Sequence, residues 1–212
     1  EARALKALFE LNTEKPALMT GTDLLMTSFQ VSFNADRREG IAMVDKLVAE
    51  VQEMARQGYH VGDINTPRIL VTGTPIGMGS EKVITLVEEC GGLVVAMQNC
   101  SGYTPTELHI YETDSRDPIM LLAEKYLGIP CSIVSPNPGR QEMLKRMISK
   151  FKIDGVIDLT WQACHTFNVE SYFIEDLVKN QVGLPFLHLE TDYSDSDRET
   201  LRVRVEAFLE MI

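Results

Sequence analysis

RILVTGTPIGMGSEKVITLVEECGGLVVAMQNCSGY, residues 68–103, decides the fold. It opens on a short β-branched run, RILVTGT (68–74), passes through a glycine-rich loop, and enters a helical segment capped by Ser80 and running to about residue 89. GGLVVAMQN (91–99) then returns as a second apolar run. The same alternation continues downstream. Asp117 and Pro118 start a helix over 117–126, with proline at its first position, and a further helix covers 139–151. GVIDLTW (155–161) is the third strand, 169–180 is helical, LPFLHLET (184–191) is the fourth strand, and 195–212 closes as an amphipathic helix. Apolar strands that alternate with helices predict a parallel sheet covered on both faces. The expected fold is α/β, flavodoxin-like or Rossmann-like, with four strands or slightly more.

Upstream of residue 63 the pattern is helical. EARALKALFELN is a run of good helix formers that Pro16 interrupts, and a second apolar stretch spans 23–33. The segment 40–57 places Ile41, Val44, Leu47, Val48, Val51 and Met54 on one helical face, with Gly58 as the stop. Residues 1–62 are therefore expected to form a helical lead, the tail of an upstream domain, and 63–212 an α/β domain.

At 212 residues, 44% hydrophobic and 24% charged, the chain has the composition of a globular protein with one good core. It contains no apolar run of the roughly 18–20 residues that would span a membrane. Lys and Arg number 20 against 31 Asp and Glu, a net charge of −11, so a nucleic-acid backbone would be repelled. The acidic balance suits a solvated surface, or one that steers a basic partner. The chain opens on Glu1 rather than Met, which makes the lack of a leader weak support for a cytoplasmic location.

Four scattered cysteines do not make a disulfide framework in a chain of this kind. Ligands of open α/β sheets bind outside the carboxyl ends of the strands. Cys100 directly follows the second strand, Cys164 lies just past the third, and Cys131 follows the turn at residues 128–130, so all three are expected at one rim. Three readings stay open on the residues alone: a shared metal site, three unrelated core cysteines, or a single nucleophile at Cys164 beside His165. A structural zinc site needs a fourth ligand and usually short paired spacings. Iron–sulfur chemistry suits a thiolate-only set better. Cys90 ends a helix before Gly91 and Gly92 and reads as a core residue.

The loop TGTPIGMGS (72–80) offers Gly77 and Gly79 either as backbone neighbours of an anion or cofactor, or as a simple tight turn. It is neither a Walker A loop nor a true GxGxxG. ETDYSDSDR (190–198) lacks the glycine and distal glutamate of an EF-hand and reads as a turn with a helix cap. His109 and His188 read as structural and His60 as exposed.

TGTPIGMGSEKV, VVAMQNCSGY, GIPCSIVSPNPGR, DGVIDLTWQACHTFNVES and FLHLETDYSDSDRETLRVRVEAFLE, taken in order, resemble the carboxy-terminal half of 2-hydroxyacyl-CoA dehydratase D-component proteins. The resemblance is good from about Arg68 onward and vaguer before it. In the dehydratase subunits, one late cysteine, matching Cys164, joins two from the first half. In the related double-cubane cluster proteins each half supplies three. The cysteines here fall in the matching places, at Cys100, Cys131 and Cys164, so the chain is closer to that branch. Cys90 matches no ligand position.

The resemblance implies a [4Fe-4S] cluster or half of a double cubane, sensitive to oxygen and easily lost, with Ser101, Gly102 and the Gly77–Gly79 loop as backbone neighbours. It implies low-potential electrons from a separate ATP-hydrolysing iron–sulfur activator, a homodimeric assembly, and the cytoplasm of an anaerobe. The expected function is an iron–sulfur reductase acting on a small substrate. One alternative is a 2-hydroxyacyl-CoA dehydratase subunit that removes water by a one-electron route. Another is a non-enzymatic interaction domain with core cysteines. The first-half cysteines of the family are not in this sequence, so a complete double cubane needs the N-terminal half of the same protein, or a partner chain that stands in for it.

Overall fold

β1 is Arg68–Gly73, β2 Leu93–Gln98, β3 Gly155–Trp161 and β4 Phe186–Thr191. In the computed structural model, which describes residues 1–108, 110 and 115–212, these strands form one parallel sheet in the order β2-β1-β3-β4. His109 lies outside the described residues. The order reverses between β1 and β3, the switch point of a flavodoxin-like doubly wound sheet. β1 and β2 are buried along their whole length, as near-continuous Ile, Leu and Val runs require. β4, at the opposite edge, is only partly covered.

Helix α4 (Lys82–Glu89) returns the chain from β1 to β2, and α9 (Arg198–Leu209) packs beside it on one face. Between β2 and β3 come α5 (Thr104–Glu107), α6 (Pro118–Leu127) and α7 (Pro138–Lys150). α8 (His165–Asp176) follows β3 and runs into a π-helical turn, Leu177–Val182, that ends at Gly183 with positive φ. Asp117 and Asn137 cap α6 and α7 by accepting from backbone N–H groups, each with proline at the next position. Ser80 does not cap α4 as its sequence context predicts. Its hydroxyl folds back on Gly77 instead, and α4 begins two residues later without a side-chain cap.

Of the N-terminal helices α1 (Ala2–Glu10), α2 (Gly21–Ser32) and α3 (Arg37–Arg56), α2 packs against β2, and α1 and α3 pack on α2 and on each other. Their Leu8, Phe9, Leu24 and Leu25 belong to the same hydrophobic cluster as the strands. A β2 edge left open would expose unpaired backbone groups, and α2 packs beside it. A Cβ on Gly21 would stand 2.5 Å from Val94 Cβ, which shows how closely α2 approaches the strand. On α3 the buried stripe runs Val44, Val48, Val51 and then Ala55. Met54, expected on that face, falls off the 3.6-residue period and is 41% exposed.

At the amino end of the sheet, the guanidinium of Arg68 is buried and joins three parts of the chain. Nε donates to Phe151 O (2.9 Å) and Lys152 O (3.1 Å), at the C-terminus of α7. Nη1 donates to Glu14 O (3.1 Å), and Nη2 to Phe151 O (2.8 Å) and Asn12 O. Burial pulls its pKa below the ordinary guanidinium value, while Asp154 acts in the opposite direction. Among the described residues, no helix is long and apolar enough to cross a membrane.

Candidate functional site

The carboxyl ends of β1, β2 and β3 release three loops onto one rim. After β2, the chain turns sharply over residues 99–103. Asn99 Oδ1 accepts from Ser101 N–H (3.1 Å), and Tyr103 N–H returns to Met97 O (2.8 Å). Cys100, at the crest of this turn, is exposed. Ser101 Oγ accepts from Ile76 N–H (3.1 Å), which ties the turn to the glycine loop after β1. A cleft of about 220 Å³ opens beside Cys100, Ser101 and Gly102, walled by Leu5, Phe29 and Phe33. Gly102 is packed so tightly that a Cβ would stand 2.4 Å from Met97 O. Gly102→Ala is expected to cost about 1–3 kcal/mol, read as a fall in unfolding free energy, and to change the rate at which Cys100 takes up a maleimide. Unchanged stability and reactivity would mean that the turn reseats freely.

Cys131 is half-buried, and its carbonyl accepts from Asn137 Nδ2 (3.0 Å), the residue that caps α7. Cys164 caps α8 in turn, and its own carbonyl accepts from Asn168 N–H (3.1 Å). Ala163, just before it, has φ +68°, a left-handed conformation that costs a non-glycine residue about 1–2 kcal/mol. The rest of the fold holds this sharp turn, which brings the chain from β3 onto the rim.

The loop of Cys131, between α6 and α7, meets the loop of Cys164. Partial desolvation by the turn around it, and then the Cys131 thiol on the same rim, push the Cys100 thiol above its ordinary pKa. The hydroxyl of Ser132 donates to Thr166 Oγ1 (3.3 Å), and that oxygen lies 3.8 Å from Cys164 Sγ. The polar contact of Cys164 is thus with Thr166. Ser132 and Thr166 were not distinguished in the sequence, where nothing separates a bridging hydroxyl from a solvated one.

Among the described residues, no three His, Cys, Asp or Glu side chains stand close enough to hold a single metal ion. A mononuclear site draws its sulfurs to about 2.3 Å from one ion. A polynuclear cluster takes one thiolate per iron and is a wider body. An all-thiol donor set on one rim fits that requirement, with Cys100, Cys131 and Cys164 as the available donors.

Other candidates lie elsewhere or are already satisfied. Cys90 sits at the opposite end of the sheet, packed on the core with Arg202 Nη1 at 3.8 Å. In the glycine loop, Gly77 N–H donates to Ser80 Oγ (2.8 Å), and Gly79, at φ +83°, has open space about it. Asp197, which stands at the N-cap position of α9, makes no side-chain capping bond. The buried ammonium of Lys82 donates to Asp197 Oδ1 (2.6 Å), Thr191 Oγ1 (2.8 Å), Ser194 O (2.6 Å) and Asp192 O (3.1 Å). Burial raises the Asp197 pKa, but Lys82 and Thr191 outweigh it and hold the carboxyl below its usual range. The acidic turn therefore wraps an internal cation. His188 Nε2 meets Thr160 Oγ1 (3.1 Å), and His60 is exposed beside Gly62 O (2.7 Å). A larger cleft of about 690 Å³, lined by Glu10, Pro16, Gln52, Tyr59 and His60, holds none of the three cysteines.

Comparison with known proteins identifies the family of the chain. The sequence profile described as 2-hydroxyglutaryl-CoA dehydratase, D-component, matches residues 1–212. The "Putative dehydratase subunit YjiM" of Escherichia coli (strain K12) is 42% identical over 212 residues, covering 100% of this chain and 54% of that protein. A benzoyl-CoA reductase subunit of Thauera aromatica is 24% identical, over 89% of this chain and 44% of its own length. The (R)-phenyllactyl-CoA dehydratase beta subunit of Clostridium sporogenes is 23% identical, over 95% and 51%. The chain spans about half the length of these relatives, and it belongs to the 2-hydroxyglutaryl-CoA dehydratase D-component family.

Proposed function

We propose that the chain is one half of an enzyme of the 2-hydroxyacyl-CoA dehydratase family, with Cys100, Cys131 and Cys164 as the thiolate donors that this half offers to an iron–sulfur cluster. The carrying observation is that Cys100, Cys131 and Cys164 sit on loops at one rim, with Ser132 beside Cys131 linked through Thr166 to Cys164. Such a cluster supplies one-electron reduction, the difficult part of removing a hydroxyl group or reducing an acyl thioester. The chain's own residues do the rest. Asn99 and Tyr103 hold the turn that presents Cys100, Asn137 steadies the Cys131 loop, and the Thr166 hydroxyl lies beside the Cys164 sulfur. Relatives about twice as long support a second half of similar size, in the same polypeptide or a partner chain. Electrons would come from a separate ATP-hydrolysing activator.

A second reading, a reductase with a double cubane shared between two halves, is favoured by the presence of three thiols on this rim rather than one. Iron and acid-labile sulfide in the full-length protein, prepared without oxygen, separate the two. About four irons per chain support the dehydratase form, a single cubane to which this half gives Cys164 alone, and about eight with excess sulfide support the double cubane, to which it gives all three. A folded anaerobic sample without iron would overturn both.

A further inference from the structure

One residue, Arg140, is tied to the stem of each cysteine loop, two of them through its guanidinium and the Cys131 loop through its backbone N–H. Arg140 lies in the first turn of α7 and is 1% exposed. Its Nε donates to Oε1 of Gln98 (3.4 Å), the last residue of β2, just before the Cys100 turn. Nη1 donates to Glu170 Oε2 (3.4 Å), and the guanidinium carbon lies 5.1 Å from the ring centroid of Phe167. Both of these residues ride α8, which Cys164 caps. Arg140 N–H donates to Asn137 Oδ1 (3.2 Å), and Asn137 holds the carbonyl of Cys131. Nη2 donates to Thr72 Oγ1 (3.0 Å) and Asp158 Oδ1 (3.3 Å), which fastens the fork to β1 and β3 at the centre of the sheet.

Stability does not account for this unit. One cation and two carboxylates are buried together, and Asp158 Oδ2 has no hydrogen-bond partner. Apolar residues of similar volume are often as stabilising as a buried ion group, or more so. What they lack is direction, because a planar guanidinium carries five donors in fixed geometry. We propose that Arg140 is a positioning residue that holds the three cysteine loops in one arrangement, so that Cys100, Cys131 and Cys164 face a shared ligand. The proposal rests on the reading of those cysteines as ligands, and its test separates the two.

The test uses Arg140→Lys, which keeps the charge and loses the fork, in full-length protein handled without oxygen. Val205→Ala, in the buried face of α9 and away from the rim, serves as a control for lost stability alone. The first readout is the yield of Cys100–Cys131 peptides joined by a short bismaleimide in metal-stripped protein, measured by mass spectrometry. The second is the rate at which a chelator removes iron from loaded protein. Arg140→Lys is expected to lower the cross-link yield severalfold and to weaken iron retention about tenfold, as loss of a residue that orients metal ligands does. Val205→Ala should leave both at wild-type values. Wild-type cross-linking and retention in Arg140→Lys, or equal losses in Val205→Ala, would overturn the proposal. If Arg140→Lys does not fold, Glu170→Gln replaces it, since it releases α8 while Asp158 still pairs with Arg140. Cross-links from Cys131 to Cys164 should then fall while those from Cys100 to Cys131 persist, and no change, or equal loss of both, refutes the role. Wild-type protein that holds no iron through these cysteines would sink the ligand reading, and the metal-free cross-linking would still judge Arg140.

Discussion

Arg68→Met is expected to lower the unfolding free energy by about 3–5 kcal/mol, a large part of the 5–15 kcal/mol that holds a typical domain folded. The methionine keeps most of the volume and removes every donor. Carbonyls of Asn12, Glu14, Phe151 and Lys152 then lose a charged partner in a buried place. Each orphaned buried acceptor costs about 1–3 kcal/mol, offset in part because the guanidinium no longer has to be desolvated. The loss should also have a location. Asn12 and Glu14 belong to the N-terminal segment, whereas Phe151 and Lys152 close α7, so the variant should free α1 from the base of the sheet before the strands open. Denaturant titration gives the free energy, and amide hydrogen exchange gives the place. Arg68→Lys should recover only part of the loss, because one ammonium cannot reach four carbonyls set around a planar fork. A change under about 1 kcal/mol in Arg68→Met would mean that water replaces the guanidinium, and that the apolar face of α1 and its Glu10 contacts with Tyr103 and Lys150 hold it.

What could be read in advance follows the range of the interactions concerned. β1, β2 and β3 emerge from local pattern because Ile69–Val71, Leu93–Met97 and Val156–Leu159 lie in runs that only a covered parallel strand can bury. The sheet order, once drawn, brings the loops after β2 and β3 to one rim, so the general location of Cys100 and Cys164 is a topological result. Side-chain partners were less legible. Ser80 and Asp197 both look like helix caps, yet one bonds Gly77 within its loop and the other bonds Lys82, 115 residues away. The link from Ser132 to Thr166 spans 34 residues and has no sequence signature. Arg140 left one usable trace. Asp158 stands inside an otherwise apolar strand, where a carboxylate must find a buried cation or donor, and the search for that partner leads to α7.

Serine at Cys164 is expected to remove most of the iron from protein prepared without oxygen, serine at Cys100 or Cys131 to do the same where this half supplies three thiolates, and Cys90→Ser to keep it all. The ligand in an iron–sulfur site is the thiolate, a soft donor, and a serine hydroxyl is a hard oxygen that keeps its proton at neutral pH. Sulfur and oxygen differ little in size, and the three rim residues are exposed or half-buried, so each variant should stay within about 1 kcal/mol of wild type. Iron loss would then report ligation and not unfolding. Cys90 provides the internal comparison. It packs on the core at the far end of the sheet, beside Arg202, and its thiol is raised in pKa chiefly by burial. The pattern among the rim variants also separates the two forms of the site. Loss in all three requires that this half supply three thiolates, which is the arrangement of a double cubane. Loss in Cys164→Ser alone fits a single cubane completed from another half, and leaves Cys100 and Cys131 as neighbours that shape the cleft. Equal iron in all four variants would reject all three cysteines as ligands, and the rim would then be an α/β surface whose cysteines serve packing.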